Sequence, residues 1–180
     1  HYPLRRQRQM CIRDRCYNSK VKTISIICQK GGVGKTTTVV NLATTFSTLG
    51  YKTLILDLDP QGNVSTYLNY DKNDNNDSNA INLLEKKSNI IPGNIIENLD
   101  ILSSNTQISK FNDEKIIGGS KLQFAFQNNK FEKYDLIIID TPPTMSSLVQ
   151  EALAVSDFYM IPAKPEFLAV EGVAQAMDFA

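Results

Sequence analysis

Apolar runs alternate along this chain with segments in which apolar residues recur at helical spacing. The runs predict buried strands at Thr23–Cys28, Thr53–Asp57, Asn98–Ser103, Tyr134–Asp140 and Asp157–Pro162. Helical spacing predicts helices at Thr36–Leu49, Ala80–Lys87 and Ser146–Val155, and another from Gly118-Gly119-Ser120 to Asn128. This alternation is typical of an α/β fold with three layers, in which helices cover both faces of a mostly parallel sheet.

The first 20 residues differ in composition from the rest of the chain. They contain five Arg, whereas residues 21–180 contain none and take their positive charge from Lys. We therefore expect residues 1–20 to be a non-native, disordered leader; the alternative is a basic arm that binds nucleic acid. Residues 21–180 are expected to form one domain. We expect this domain to be truncated at its C-terminus, because the helical pattern of Ala169–Ala180 has no stop signal.

Overall composition narrows the classes of function only slightly. Lys plus Arg and Asp plus Glu each number 19, so the net charge of zero gives no hint of nucleic-acid binding. Cys11 and Cys16 have no matching Cys or His cluster, which argues against a zinc site, and Cys28 is expected to be a small buried residue. No disulfide framework is indicated, which favours a reducing cytoplasm, and no apolar run reaches the length of a membrane span.

The segment between the first predicted strand and helix reads QKGGVGKTT at positions 29–37. Its glycines let several backbone N–H groups point at one anion, and the start of the helix adds the positive end of its dipole. The pattern predicts a phosphate-binding loop made of Gly31, Gly32, Val33, Gly34, Lys35, Thr36 and Thr37. Lys35 would reach the terminal phosphates, and the Thr36 hydroxyl would hold Mg²⁺. The alternative is a glycine-rich turn with two surface lysines.

Aspartates occur at or just beyond the ends of two predicted strands. Asp57 and Asp59 stand at the end of one strand, and Asp140 ends another. Ligand sites in parallel sheets lie at the carboxyl ends of the strands, so these side chains are expected to converge on the loop. Asp140 is the predicted Mg²⁺ carboxylate, often acting through water. Its alternative is a turn or helix cap before Thr141-Pro142-Pro143.

Three motifs in this order resemble those of the ParA-type ATPases that partition chromosomes and plasmids: KGGVGKTT at 30–37, DLDPQGN at 57–63 and IIIDTPP at 137–143. The resemblance covers residues 22–180 and implies a P-loop NTPase fold of the deviant Walker A class, which also holds the MinD branch. The loop departs from the strict P-loop pattern, because Gln29 stands where that pattern has glycine. The sequence DPQGN favours the ParA branch.

The resemblance also implies roles for individual residues. Lys30 is the family's signature lysine, which joins Lys35 in nucleotide binding and catalysis by contacting the phosphates of the partner subunit in an ATP-sandwich dimer. Asp59 is implied to position or activate the attacking water, and Asp57 to support the Mg²⁺ shell with Thr36 and Asp140. The residues alone leave two alternatives open: a solvated Lys30, and a turn-capping role at Pro60 for either Asp57 or Asp59.

The function implied by the resemblance is slow, partner-stimulated hydrolysis of Mg-ATP that acts as a dimerisation switch in partitioning. The implied partners are a second copy of the chain, a ParB-like protein and DNA bound without sequence preference, and the implied location is the cytoplasm and nucleoid. Residues that contact DNA or adenine are expected mostly beyond the chain end, while Lys164–Gly172 resembles a segment that shapes the nucleotide site and dimer face. The alternatives are a MinD-like, membrane-associated ATPase and a nucleotide-binding fragment without hydrolysis.

Overall fold

In a computed structural model of the chain, the described residues are 21–71, 78–87, 90–114, 119–128, 131–163, 174 and 176–179. The strands are β1 (Lys22–Ile26), β2 (Thr53–Asp57), β3 (Gly93–Ile96), β4 (Leu99–Leu102), β5 (Leu136–Asp140) and β6 (Phe158–Met160). The helices are α1 (Lys35–Thr48), α2 (Asn63–Tyr67), α3 (Ala80–Leu84), α4 (Lys121–Asn128) and α5 (Ser147–Val155). Thr106–Phe111 and Phe131–Lys133 form short 3₁₀ helices, and residues 174 and 176–179 are helical.

The strands form one sheet in the order β3-β4-β2-β5-β1-β6. All neighbouring pairs are parallel except β3 and β4. Strand β5 lies between β1 and β2, and its last residue, Asp140, is paired in register with Ile26 on one side and Asp57 on the other. The carboxyl ends of the three central strands therefore meet at one edge of the sheet.

Alternate residues of the central strands pack against helices on opposite faces. Leu54, Leu56, Ile137 and Ile139 belong to a core shared with α3, α4 and α5. Ile55 and Ile138 belong to a second core shared with α1 and α2. Every residue of β2 and β5 is buried, and in each strand an apolar run (Leu54–Leu56 and Leu136–Ile139) ends in an aspartate. The predicted three-layer α/β fold, with a mostly parallel sheet, is confirmed.

Strand β3 and helix α2, like the two 3₁₀ helices, were not predicted from the sequence. Strand β3 is a four-residue edge strand that follows Pro92, and it pairs with β4 through an irregular register. Helix α2 is one turn long and rich in β-branched residues, which have low helix propensity. It forms because Gly62, at φ 60°, turns the chain, while Val64 is fully buried against the sheet. Cys28 is buried, as expected.

The expectations for the leader at residues 1–20 and for Lys164–Gly172 lie outside the described residues. Within the part of the chain that is described, no helix combines the length and the apolar character needed to cross a membrane.

Candidate functional site

The loop between β1 and α1 has the backbone of an anion cradle. Gly32 has φ 71° and Gly34, the N-cap of α1, has φ 97°, a left-handed conformation that glycine adopts without a Cβ clash. No described side chain caps this helix, and its first turn contains no acidic residue. The positive end of a 14-residue helix therefore faces the loop with no acidic residue in its own first turn.

Lys35 is the first residue of α1, and its side chain lies along the loop. The residue is only 7% exposed, more buried than a lysine on a surface turn would be. Its Nζ donates a hydrogen bond of 3.1 Å to the main-chain oxygen of Cys28, across the loop. An ammonium group has three donors, so this bond holds the charge at the loop while leaving further donors for an anion.

Thr36 and Asp140 are 104 residues apart in sequence but touch in the structure. The Thr36 hydroxyl donates a 2.7 Å hydrogen bond to Asp140 Oδ2. The main-chain oxygen of Asp140 accepts a second bond, of 2.9 Å, from the backbone N–H of Leu58. Two of the three predicted Mg²⁺ ligands are therefore in direct contact, and the third, Asp57, is paired with Asp140 in the sheet.

Asp57 and Asp59 organise the turn that follows β2. Asp57 Oδ1 accepts from the backbone N–H of Asp59, and Asp59 Oδ1 accepts from that of Gln61, each at 2.9 Å. Both aspartates therefore cap the turn around Pro60, and their roles in the Mg²⁺ shell and in water activation stay predictions. Each cap occupies a single oxygen, so it leaves the other oxygen of the carboxylate available for other chemistry.

Two carboxylate oxygens in this cluster, Asp57 Oδ2 and Asp140 Oδ1, are buried and have no hydrogen-bond partner among the described residues. Burial raises the pKa of Asp140 to about 7; the hydrogen bond from Thr36 and the charge of Lys35 oppose the rise, and the charge of Asp59 adds to it. Burial, followed by the charge of Asp140, raises the pKa of Asp57 well above its ordinary value. A bound cation would offset the repulsion between the two carboxylates and would give their buried oxygens a partner.

The available donors fit Mg²⁺, which also takes ligands from phosphate and water, better than a metal ion whose ligands all come from the protein. Nowhere in the described ranges do three or more His, Cys, Asp and Glu side chains form a metal-binding group. The cluster instead offers the Thr36 hydroxyl with the carboxylates of Asp57 and Asp140, all hard oxygen donors. Mg²⁺ commonly takes one or two carboxylates and completes its shell with phosphate oxygens and water.

The remaining predicted residues lie around this cluster. Gly31 and Gly32 are exposed, and among the described atoms nothing lies within 4 Å of the position a Cβ would take at either. Val33 and Lys30 are partly exposed, while Thr37 is exposed and its carbonyl accepts from Asn41. Lys30 and Thr36 are therefore partly exposed, whereas Lys35 and the three aspartates are buried.

Sequence reasoning missed Thr141 as a member of this edge. Its hydroxyl is buried and donates a 2.7 Å hydrogen bond to the main-chain oxygen of Ile26. A polar residue directly after a buried strand was the available signal, but it could not reveal which carbonyl the hydroxyl would meet.

Comparisons with known proteins identify relatives of this chain. A family described as an AAA domain matches residues 21–180. The chain is 37% identical over 162 residues to the sporulation initiation inhibitor protein Soj of Bacillus subtilis, covering 87% of this chain and 64% of that protein. It is 34% identical over 158 residues to the chromosome-partitioning ATPase Soj of Thermus thermophilus, covering 87% and 60%. The chain thus spans slightly less than two thirds of the length of these curated relatives.

Among solved structures, a plasmid partition protein from Borrelia burgdorferi, crystallised with AMPPNP, matches with a TM-score of 0.80 and 32% identity. The match covers 89% of this chain and 70% of the Borrelia chain. Sequence and fold thus point to the same group of relatives.

Proposed function

Because the chain belongs to the ParA-type family of P-loop ATPases, we propose that it binds Mg-ATP at residues 30–37 and hydrolyses it slowly, as a dimerisation switch in chromosome or plasmid partitioning. The observation that carries the proposal is the contact between Thr36 and Asp140 beside two buried, unpartnered carboxylate oxygens. A glycine-rich turn without a function would not need two buried carboxyl groups with unpartnered oxygens beside it.

The loop supplies the groups that bind phosphate. Backbone N–H groups of Gly31–Thr37 surround the anion, and the N-terminus of α1 adds its dipole. Lys35, held at the loop by the carbonyl of Cys28, turns its remaining donors to the terminal phosphates. Nucleotide binding is also supported by the related Borrelia protein, which was crystallised bound to AMPPNP.

Thr36, Asp57 and Asp140 would hold the magnesium ion of Mg-ATP. When bound, Mg²⁺ supplies positive charge that offsets the charge of the phosphate oxygens. In this chain, Thr36 keeps Asp140 turned toward α1, and the Asp59 backbone N–H keeps Asp57 turned toward the turn after β2. One oxygen of each carboxylate is thereby fixed, and the other remains for the ion.

Asp59 and Lys30 are assigned to the hydrolytic step. Asp59 is 6% exposed and has one oxygen tied to Gln61, so the other oxygen can orient the attacking water. Lys30 lies at the partly exposed rim of the loop, from where it reaches the phosphates of a second subunit. Positive charge placed there stabilises the charge that develops on the transferred phosphoryl group.

The partners in this proposal are a second copy of the chain, a ParB-like protein that stimulates hydrolysis, and DNA bound without sequence preference. The proposed location is the cytoplasm, associated with the nucleoid. These partners and this location are supported by the sequence identity of the chain to a chromosome-partitioning ATPase and a plasmid partition protein. The described residues support only the nucleotide-binding and hydrolysis steps.

The experiment that tests the proposal is nucleotide binding by the Lys35→Ala variant. Without the ammonium, we expect the affinity for a fluorescent ATP analogue in Mg²⁺ to fall at least about tenfold, by loss of a charge-assisted contact. Lys52→Ala is the matched control, because Lys52 is an exposed lysine at the opposite end of the sheet, just before β2. Circular dichroism would show that both variants keep the fold. Equal affinity in Lys35→Ala and the parent protein would refute the assignment of the loop.

A further inference from the structure

Thr141 is a buried polar residue that the proposed chemistry does not use. Its side chain is fully buried, and its hydroxyl donates to the Ile26 carbonyl at 2.7 Å. The preceding strand residues that share this depth, Ile137–Ile139, are apolar. A valine would fill the same volume without a polar atom, and a buried hydroxyl is costly unless it is hydrogen-bonded. The hydroxyl of Thr141 is therefore expected to matter through the groups that its hydrogen bond holds together.

The bond joins the two strand ends that meet at the candidate site. Ile26 and Asp140 are the last residues of β1 and β5, and they are paired in register. This pair is the last one between the two strands: β1 continues through Cys28 into the phosphate-binding loop, and β5 continues into the Thr141-Pro142-Pro143 segment. The Thr141 hydroxyl adds one more bond at the point where backbone pairing of these strands stops.

This bond bears on the Asp140 carboxylate, which precedes Thr141 directly. Oδ2 of Asp140 is held by Thr36, while Oδ1 is buried with no partner in the described part of the chain. The position of the Asp140 carboxylate relative to the phosphate-binding loop therefore depends on the spacing between the ends of β1 and β5. Mg²⁺ demands near-ideal octahedral geometry and tolerates little displacement of a ligand. Residues that orient a metal ligand without binding the metal themselves tune the affinity for the metal.

We propose that Thr141 is a positioning residue that sets the distance between the Asp140 carboxylate and the phosphate-binding loop, and thereby the Mg²⁺ affinity of the nucleotide complex. This inference rests on the proposed function, because it assumes that Mg-nucleotide binds at this edge. Thr141 acts through Asp140 and contacts neither the nucleotide nor the ion.

The test compares Thr141→Val, which removes the hydroxyl at constant shape, with Thr141→Ser, which keeps it. Thr53→Val is the matched control: Thr53 is also fully buried and donates to a main-chain carbonyl, that of Tyr51 at 3.1 Å, but at the amino end of β2. Binding of a fluorescent ATP analogue is measured in EDTA and during a Mg²⁺ titration. We expect Thr141→Val to need about tenfold more Mg²⁺ for half-maximal binding, with unchanged affinity in EDTA. Thr141→Ser and Thr53→Val should match the parent protein.

Three outcomes would overturn the role of Thr141 while leaving nucleotide binding intact: an unchanged Mg²⁺ requirement in Thr141→Val, a serine variant that behaves like the valine variant, or an equal shift in Thr53→Val. A parent protein that binds no nucleotide in Mg²⁺ would instead refute the proposed function. If circular dichroism shows that Thr141→Val is unfolded, Thr141→Ala takes its place against Thr141→Ser, with the same expected shift in Mg²⁺ requirement.

Discussion

At the scale of single residues, the candidate site combines function with local instability. Asp57 and Asp140 are both fully buried, each has one oxygen without a described partner, and burial raises the pKa of both carboxyl groups. A protein optimised for stability alone would place apolar side chains at the ends of β2 and β5. Retaining charge there is the stability–function conflict expected of a binding site.

This conflict makes the effect of Asp140→Asn predictable. The amide keeps an acceptor for the Thr36 hydroxyl but removes the buried charge, so we expect the metal-free protein at pH 8 to gain about 1–3 kcal/mol of stability. The added stabilisation by Mg-AMPPNP should be lost. Thermal unfolding in EDTA and in Mg-AMPPNP measures both effects, with Asp113→Asn as an exposed-aspartate control. An asparagine variant that is less stable in EDTA, or that gains as much from Mg-AMPPNP as the parent, would contradict the prediction.

At the scale of elements, a buried carboxylate joins two helices on one face of the sheet. Glu151, in α5, is 4% exposed and accepts from the Ser120 hydroxyl at 2.5 Å and from the N–H groups of Lys121 and Leu122 at 3.0 and 2.9 Å. These donors form the start of α4, so Glu151 caps that helix from a neighbouring helix.

Glu151→Ala should therefore be strongly destabilising. It leaves the hydroxyl and two backbone N–H groups without their acceptor, and we expect a loss of about 2–4 kcal/mol in the free energy of unfolding. Glu151→Gln keeps one acceptor oxygen and should lose less. Urea unfolding measures the difference, and Gln150→Ala, an exposed neighbour on α5, serves as the control. A Glu151→Ala variant within about 0.5 kcal/mol of the parent would show that the cap contributes little.

At the scale of the whole molecule, every candidate functional group lies at one edge of the sheet. The loop after β1, the turn after β2 and the end of β5 converge there because these strands are parallel neighbours. Lys30 lies at the rim of this edge, whereas Asp59 lies inside it. Under the proposed function, Lys30 acts on a second subunit and Asp59 acts within its own subunit.

Two variants test that separation through oligomeric state. Asp59→Asn keeps an acceptor for the Gln61 N–H but loses the charge that activates water, so it should bind ATP and accumulate as a dimer. Lys30→Ala should bind ATP as a monomer, with turnover lower by a factor on the order of 10³, by analogy with an arginine finger. Light scattering with Mg-ATP distinguishes the two, and Lys133→Ala controls for loss of an exposed lysine. Two monomeric variants, or a Lys30→Ala protein that dimerises and hydrolyses normally, would disprove the intermolecular role.

Local chemistry explains what the sequence by itself determined. The apolar runs of β2 and β5, the helical spacing of α1 and the glycines of residues 31–34 each act over a few neighbouring residues, so fold class, loop and family were predictable. Strand β3 and helix α2 escaped prediction because their short segments lack a periodic signal, and packing against β4 and the sheet stabilises them.

Only the tertiary structure decided how distant residues meet. The sequence indicates that Asp140 ends a strand. It does not indicate that the Thr36 hydroxyl donates to one carboxylate oxygen while the other has no described partner. It likewise marks Thr141 and Glu151 as ordinary polar residues, although one extends the pairing of β1 with β5 and the other caps α4. These contacts arise from the order of strands in the sheet and the packing of helices on it, which are long-range properties that no short window of sequence encodes.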